Sequence, residues 1–177
     1  MPTTSSKNPS YSFLDKQLAL LGSRDPLQVM AETATILEAL IAAAPAVDLA
    51  RAPKPDAWSP LEALGHLADM EWVFGFRART ILCDQPRPTL AGIDQDRWVT
   101  LQQPAKHEAQ VWLARFRAAR EVNLAFWQGL PDAVLARAGW HADAAVEIPL
   151  SLLRRIIAGH DLLHIDLLRR DLDLLAP

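Results

Sequence analysis

The sequence predicts an all-α fold, a four-helix bundle with long crossover loops, and three observations carry that reading. Four long stretches repeat apolar residues at helical spacing, proline-rich segments separate them, and strand-like alternation is scarce. The chain has 177 residues, 50% of them hydrophobic, which suits one domain with a substantial core.

Ser, Thr, Pro and Asn dominate the first ten residues, so a flexible leader is expected over 1–24, with Tyr11, Phe13 and Leu14 the first groups available to bury. The bundle domain is expected over 25–177. Asp25 before Pro26 is a helix start, and Leu27, Met30, Ala34, Leu37 and Ile41 recur at three- and four-residue steps until Pro45. Prolines are dense from Pro45 to Pro60, where Trp58 is the one large apolar group able to pin the loop. Ser59-Pro60-Leu61-Glu62 has the form of a capping box with proline at the first helical position, launching a second helix to about Cys83. Another proline-rich loop runs from Asp84 to Pro104. Beyond it Trp112, Phe116, Ala119, Phe126 and Leu130 trace the buried stripe of a third helix, which Pro131 ends. Gly139 to Ile148 suits a small hairpin or an irregular loop. From Pro149 the chain is helical again to the neighbourhood of Leu172. The second and third connections can cross an end of the bundle, so strict up-down-up-down order is not required.

A formal charge of −3 leaves no basic excess to grip a phosphate backbone, and no nucleic-acid partner is expected. No uninterrupted apolar run approaches the length of a bilayer crossing, and Met1 to Ser10 lacks the apolar centre of a secretory signal, so a cytoplasmic protein without a membrane partner is expected. Cys83 is the single cysteine. An internal disulfide and a thiolate-rich zinc knuckle are both excluded, and any metal must rest on imidazole and carboxylate.

His160 and His164 stand one helical turn apart, so both imidazoles share a face of the last helix with Leu153, Ile156, Ile157 and Leu167. That face points to the core, with Arg154, Asp161 and Arg169 outside it. The second helix places His66 among Ala63, Leu67, Met70, Val73 and Phe74, while Glu62, Asp69 and Glu71 lie away from the stripe's centre. An isolated His-x-x-x-His is more often chance, or two separately bonded residues, than a ligand pair. A third inward histidine turns the spacing into a site. Burying an imidazole without a partner costs about 1–3 kcal/mol, and one divalent ion satisfies three of them at once.

Other polar residues receive plainer readings. His107, at the start of the third helix, and His141, in the hairpin segment, are expected to be surface or loop residues. Asp94 and Asp96 read as a helix cap and a solvent charge, with the lining of a pocket mouth as the other reading. Arg77 reads as a snorkelling arginine, or as a holder of an anionic ligand near the metal. Cys83, at a helix end, reads as a small apolar filler.

The run Trp58-Ser59-Pro60 through Gly65-His66-Leu67-Ala68-Asp69-Met70-Glu71, then Gly92 to Trp98, then Ala158-Gly159-His160-Asp161-Leu162-Leu163-His164, resembles the DinB-like superfamily of DinB/YfiT type. The match spans most of the chain, through short motifs in a distinctive order. The resemblance implies a four-helix bundle of unusual connection order, a metal site on His66, His160 and His164, and frequent homodimers. It also implies a range of activities: thiol-dependent transfer or isomerisation with bacillithiol or mycothiol, and metal-dependent hydrolysis. A related domain in a sulfoxide synthase carries His-x-x-x-His-x-Glu and a second catalytic domain. Here Asp166 occupies the position of that Glu, on the far side of the helix, and a second domain is not expected, which sets that activity aside.

Two functions follow as expectations. In the first, a divalent transition metal (zinc, nickel or iron) activates water or a low-molecular-weight thiol against a small electrophilic substrate, with the loop from Asp84 to Trp98 shaping the mouth. No residue stands out as a general base, and the catalytic residues stay unassigned. In the second, a non-catalytic, stress-associated bundle uses the metal structurally and presents a partner surface, with Trp72 and Phe76 suited to a dimer interface.

Overall fold

The structure, a computed structural model, describes residues 9–84 and 86–175. Its elements are α1 (Pro9–Leu21), α2 (Pro26–Ala43), α3 (Ala46–Leu49), α4 (Pro60–Cys83), β1 (Thr89–Leu90), α5 (Gln95–Gln102), α6 (Ala109–Gln128), β2 (Ala138–His141), β3 (Val146–Pro149) and α7 (Leu150–Leu175). Single 3-10 turns lie at Pro104–Lys106 and Asp132–Val134.

Two of the long helices, α2 and α4, start at residues whose side chains satisfy free backbone amides. The Asp25 side chain accepts a hydrogen bond from the Leu27 amide, and Pro26 opens α2. Ser59 Oγ accepts from the Glu62 amide while Glu62 Oε2 accepts from the Ser59 amide at 2.7 Å, completing the expected capping box of α4. The backbone amides of Leu150 and Ser151, at the start of α7, donate to the carbonyls of Arg137 and Leu135.

Helices α2, α4, α6 and α7 form the bundle. α2 lies against α6 and α7, and α4 lies against the same two helices. Consecutive helices α2 and α4 are thus diagonal, as are α6 and α7, and the long connections exist to make those diagonals. By length and composition alone α2 could cross a membrane, but Glu32 and Glu38 interrupt it and its buried stripe of Met30, Leu37 and Ile41 belongs to the bundle core.

Four sequence expectations change. The leader expected over 1–24 contains a helix, α1, laid along α7 with Gln17 and Leu21 buried; residues 1–8 lie outside the described ones. Gly159 permits that approach, since a Cβ there would stand 2.4 Å from the Gln17 carbonyl oxygen. The 84–104 connection contains the short helix α5, which Asp94 caps by accepting from the Arg97 amide, while Asp96 is exposed. The hairpin is real, with β2 and β3 antiparallel, and β1 extends it to three strands by pairing parallel with β2. The buried stripe of α6 runs through Trp112, Phe116, Arg120, Asn123 and Trp127, whereas Ala119 and Phe126 are half-buried. Apolar spacing steered the expected stripe around two polar residues that face the core.

The apolar core is split into two clusters. One gathers Met30, Phe74, Ile81, Trp127, Leu153 and Ile157, the other Leu37, Leu64, Leu67, Trp112, Phe116 and Leu168. On each bundle helix buried polar residues fall at the seam between them: Thr33, His66 and Glu71, Arg120 and Asn123, His160, Asp161 and His164.

Candidate functional site

His66 from α4 and His160 and His164 from α7 meet in that seam. All three are buried, and one donor nitrogen from each lies within 4.8 Å of the others. Nε2 of His66 stands 3.1 Å from Nε2 of His160. Two imidazoles bound tetrahedrally to one zinc, at about 2.0–2.1 Å each, would have donors about 3.3 Å apart. The Trp58 ring lies 4.8 Å from the His66 ring, and the Phe74 edge meets His160 at 5.4 Å between centroids, so aromatic groups hold the cluster from two sides. The loop tryptophan expected to pin down 45–60 does so against a candidate ligand.

The electrostatics keep these rings neutral. Burial lowers His66 from its ordinary 6.5 to about 4. Burial, followed by the neighbouring His66, takes His164 down to about 3. His160 is pushed well below its ordinary value by burial first, then by His164, His66 and Arg120. A neutral imidazole offers a lone pair, which is the form that ligates a metal. Nδ1 of His160 and Nδ1 of His164 are buried without a hydrogen-bond partner among the described residues. Orphaned polar atoms at this depth cost about 1–3 kcal/mol each. The donor set, three neutral imidazoles gathered within 4.8 Å, therefore fits a divalent transition metal, and the residues able to hold it are the three expected from the sequence.

A cavity of about 410 Å³ opens on His160. Met70, Phe74, Ile148 and Ile156 line it, Leu14 and Gln17 of α1 close one side, and Arg77, His141 and Asp143 stand in its wall. Two corrections follow. The segment expected to be a flexible leader supplies part of this wall, and His141, expected as an ordinary loop residue, is half-buried in it. His107 is exposed, as expected, and Cys83 is exposed rather than filling an apolar space.

Beside the histidines lies a second polar cluster that the helical wheels missed. Arg120 donates to Asp161 Oδ2 at 2.6 Å and Oδ1 at 2.9 Å, to Glu71 Oε1 at 2.7 Å, and to the Met30 carbonyl at 2.8 Å. Asn123 donates to Glu71 Oε2, and Thr33 Oγ1 donates to Asp161 Oδ2. Arg120, Glu71 and Asp161 are each at most 2% exposed, although the wheels placed Glu71 and Asp161 away from the core. Asp161 follows His160 directly in α7, so this cluster fixes the helix that carries two of the three rings. A polar residue opposite two buried acids on other helices was the only available signal, and one helix's periodicity does not contain it.

The family model of the DinB superfamily matches residues 30–168. No curated protein matches the sequence. Among solved structures, the chain is similar to YfiT from Bacillus subtilis, with a TM-score of 0.71 at 20% identity, over 96% of this chain and 92% of that one. That protein is described as a probable metal-dependent hydrolase with an unusual four-helix bundle topology. At this identity the likeness concerns the fold, and it agrees with the diagonal arrangement of consecutive helices.

Proposed function

The chain belongs to the DinB superfamily, and from that premise we propose that it is a metal-dependent enzyme, with His66, His160 and His164 as ligands, acting on a small electrophile. One observation carries the reading: three neutral, buried imidazoles converge within 4.8 Å of one another, and one of them, His160, opens onto a substrate-sized cavity. When bound, a divalent ion on three imidazoles lowers the pKa of a water or thiol that reaches it. The chain's own contribution is to hold the rings neutral, exclude bulk water with Trp58 and Phe74, and present the substrate through the cavity at His160.

Hydrolysis is the favoured chemistry, supported by the activity ascribed to the similar Bacillus protein. Transfer to a low-molecular-weight thiol is the finer alternative, with the thiol supplied from outside, since Cys83 is not among the cavity residues. Metal-loaded protein, tested with p-nitrophenyl acetate and with cysteine plus a chlorodinitrobenzene, should accelerate at least one reaction above the free-metal control and lose that gain in His160→Ala. Loaded protein no faster than free metal contradicts the proposal. A non-catalytic bundle that pairs with a second copy has one observation in its favour: Trp72 and Phe76 are 71% and 70% exposed along a groove between α4 and α6. Sedimentation of wild type against Trp72→Ser would show whether that face associates.

A further inference from the structure

The two buried arginines of the seam and the cavity are partnered very differently. Arg120 meets two carboxylates, whereas Arg77 is 8% exposed and, among the described residues, donates only to the Ala91 carbonyl, at 2.6 Å. Its Nε has no partner, and among the described residues no carboxylate lies within ion-pair distance of it. Burial disfavours its charge, and Asp143, at the tip of the β2–β3 hairpin, offsets part of that through space. A guanidinium nevertheless stays protonated, so the cavity wall carries a desolvated cation short of acceptors.

The neighbouring wall adds a donor. His141 Nδ1 accepts a hydrogen bond from the Ala144 amide at 3.3 Å, which leaves the proton of the neutral ring on Nε2. Burial first, and then Arg77, favour that neutral ring, against an opposite pull from Asp143. The rest of the lining is largely apolar, from Met70, Phe74, Ile93 and Ile156, and His160 lies on the same cavity. At about 410 Å³ the space is toward the small end of the ~300–1,000 Å³ typical of ligand pockets.

We propose that this cavity binds a small monocarboxylate with an apolar body, its carboxylate paired with Arg77 beside His141 and its reacting end toward His160. A monoanion fits better than a phosphate dianion, because one cation faces it and Asp143 repels additional negative charge. The apolar body matches the walls between the two ends. Calling this molecule the substrate rests on the enzyme reading above; its binding does not require turnover.

The test is calorimetric titration of the full chain with hexanoate and with its neutral isostere hexanamide. Wild type should bind the acid at least about tenfold more tightly than the amide, the discrimination expected of a charge-assisted pair. Arg77→Met should abolish the preference. Asp143→Asn should strengthen it, and a gain of affinity cannot arise from misfolding. Equal binding of acid and amide by wild type overturns the proposal, as does weaker acid binding in Asp143→Asn. The titration is repeated in His66→Ala, a residue outside the cavity lining. An acid preference that persists there, in a protein whose wild type shows no metal-dependent turnover, would reject the enzyme reading and leave the binding site standing.

Discussion

The Arg120 cluster and the histidine cluster occupy neighbouring positions on α4 and α7, at the same seam and at the same depth. In the first, one guanidinium, two carboxylates, an amide and a hydroxyl exchange hydrogen bonds across α2, α4, α6 and α7, and among the described residues only Arg120 Nε lacks an acceptor, with the Phe116 ring 4.7 Å from the guanidinium carbon. In the second, three rings converge with one contact between them, Nε2 of His66 to Nε2 of His160, and among the described residues Nδ1 of His160 and Nδ1 of His164 have no partner. Both clusters take polar groups out of water. The first is closed by the chain itself, whereas the second keeps bonding capacity that a divalent ion could take up. Burial alone therefore does not mark a functional site; burial with unmet bonding capacity does.

Acid should separate the two clusters most. The unfolded chain takes up protons on its histidines near 6.5, while native His66 resists to about 4 and native His164 to about 3. The unfolded state thus binds more protons, and stability falls as pH drops through 6.5 and goes on falling to those native values. For each histidine the loss is about 1.4 kcal/mol per pH unit inside the window. Thermal melts of metal-free protein from pH 7 to 4 should show this slope, reduced stepwise by His66→Gln and His164→Gln. Asp161, raised by burial, works in the opposite sense, so the slope must be read from the variants. A pH-independent melting temperature would break the contrast.

Removing the central cation comes next. Arg120→Met leaves Glu71 and Asp161 buried and unpaired, a loss of about 3–5 kcal/mol in denaturant unfolding with or without metal. Adding Glu71→Gln and Asp161→Asn should restore most of it. If Arg120→Met alone costs under about 1 kcal/mol, this cluster does not hold the helices together. Metal should then act on the histidines alone: at a hundredfold excess over its dissociation constant it should stabilise wild type by about 2.7 kcal/mol and His160→Ala not at all.

The smallest effect expected is steric. A Cβ at Gly75 would lie 2.5 Å from Asn123 Oδ1, displacing the amide that donates to Glu71. Gly75→Ala should cost about 1–3 kcal/mol despite its gain in helix propensity, and should leave metal content unchanged. An unchanged melting temperature would show that Asn123 relocates freely.

The sequence made the bundle legible because its helices announce themselves by caps and apolar spacing, as at Asp25-Pro26 and Ser59-Pro60. It also exposed the histidines, since an imidazole within an apolar stripe is conspicuous. What it concealed were residues whose surroundings come from other helices. Arg120, Asn123, Glu71 and Asp161 look like solvent-facing polar groups until three helices bring them together. His141 and α1 join the cavity only through tertiary contacts, and α5 hides in a polar stretch whose one buried side chain is Val99.

The most direct measurement is the transition-metal content of untagged protein, by elemental analysis after reconstitution with zinc, nickel or iron and exhaustive dialysis. One ion per chain is expected in wild type, with most of it lost in both His66→Ala and His160→Ala. Wild type that retains no ion from any of the three metals, or variants that retain as much as wild type, would contradict the three-histidine centre.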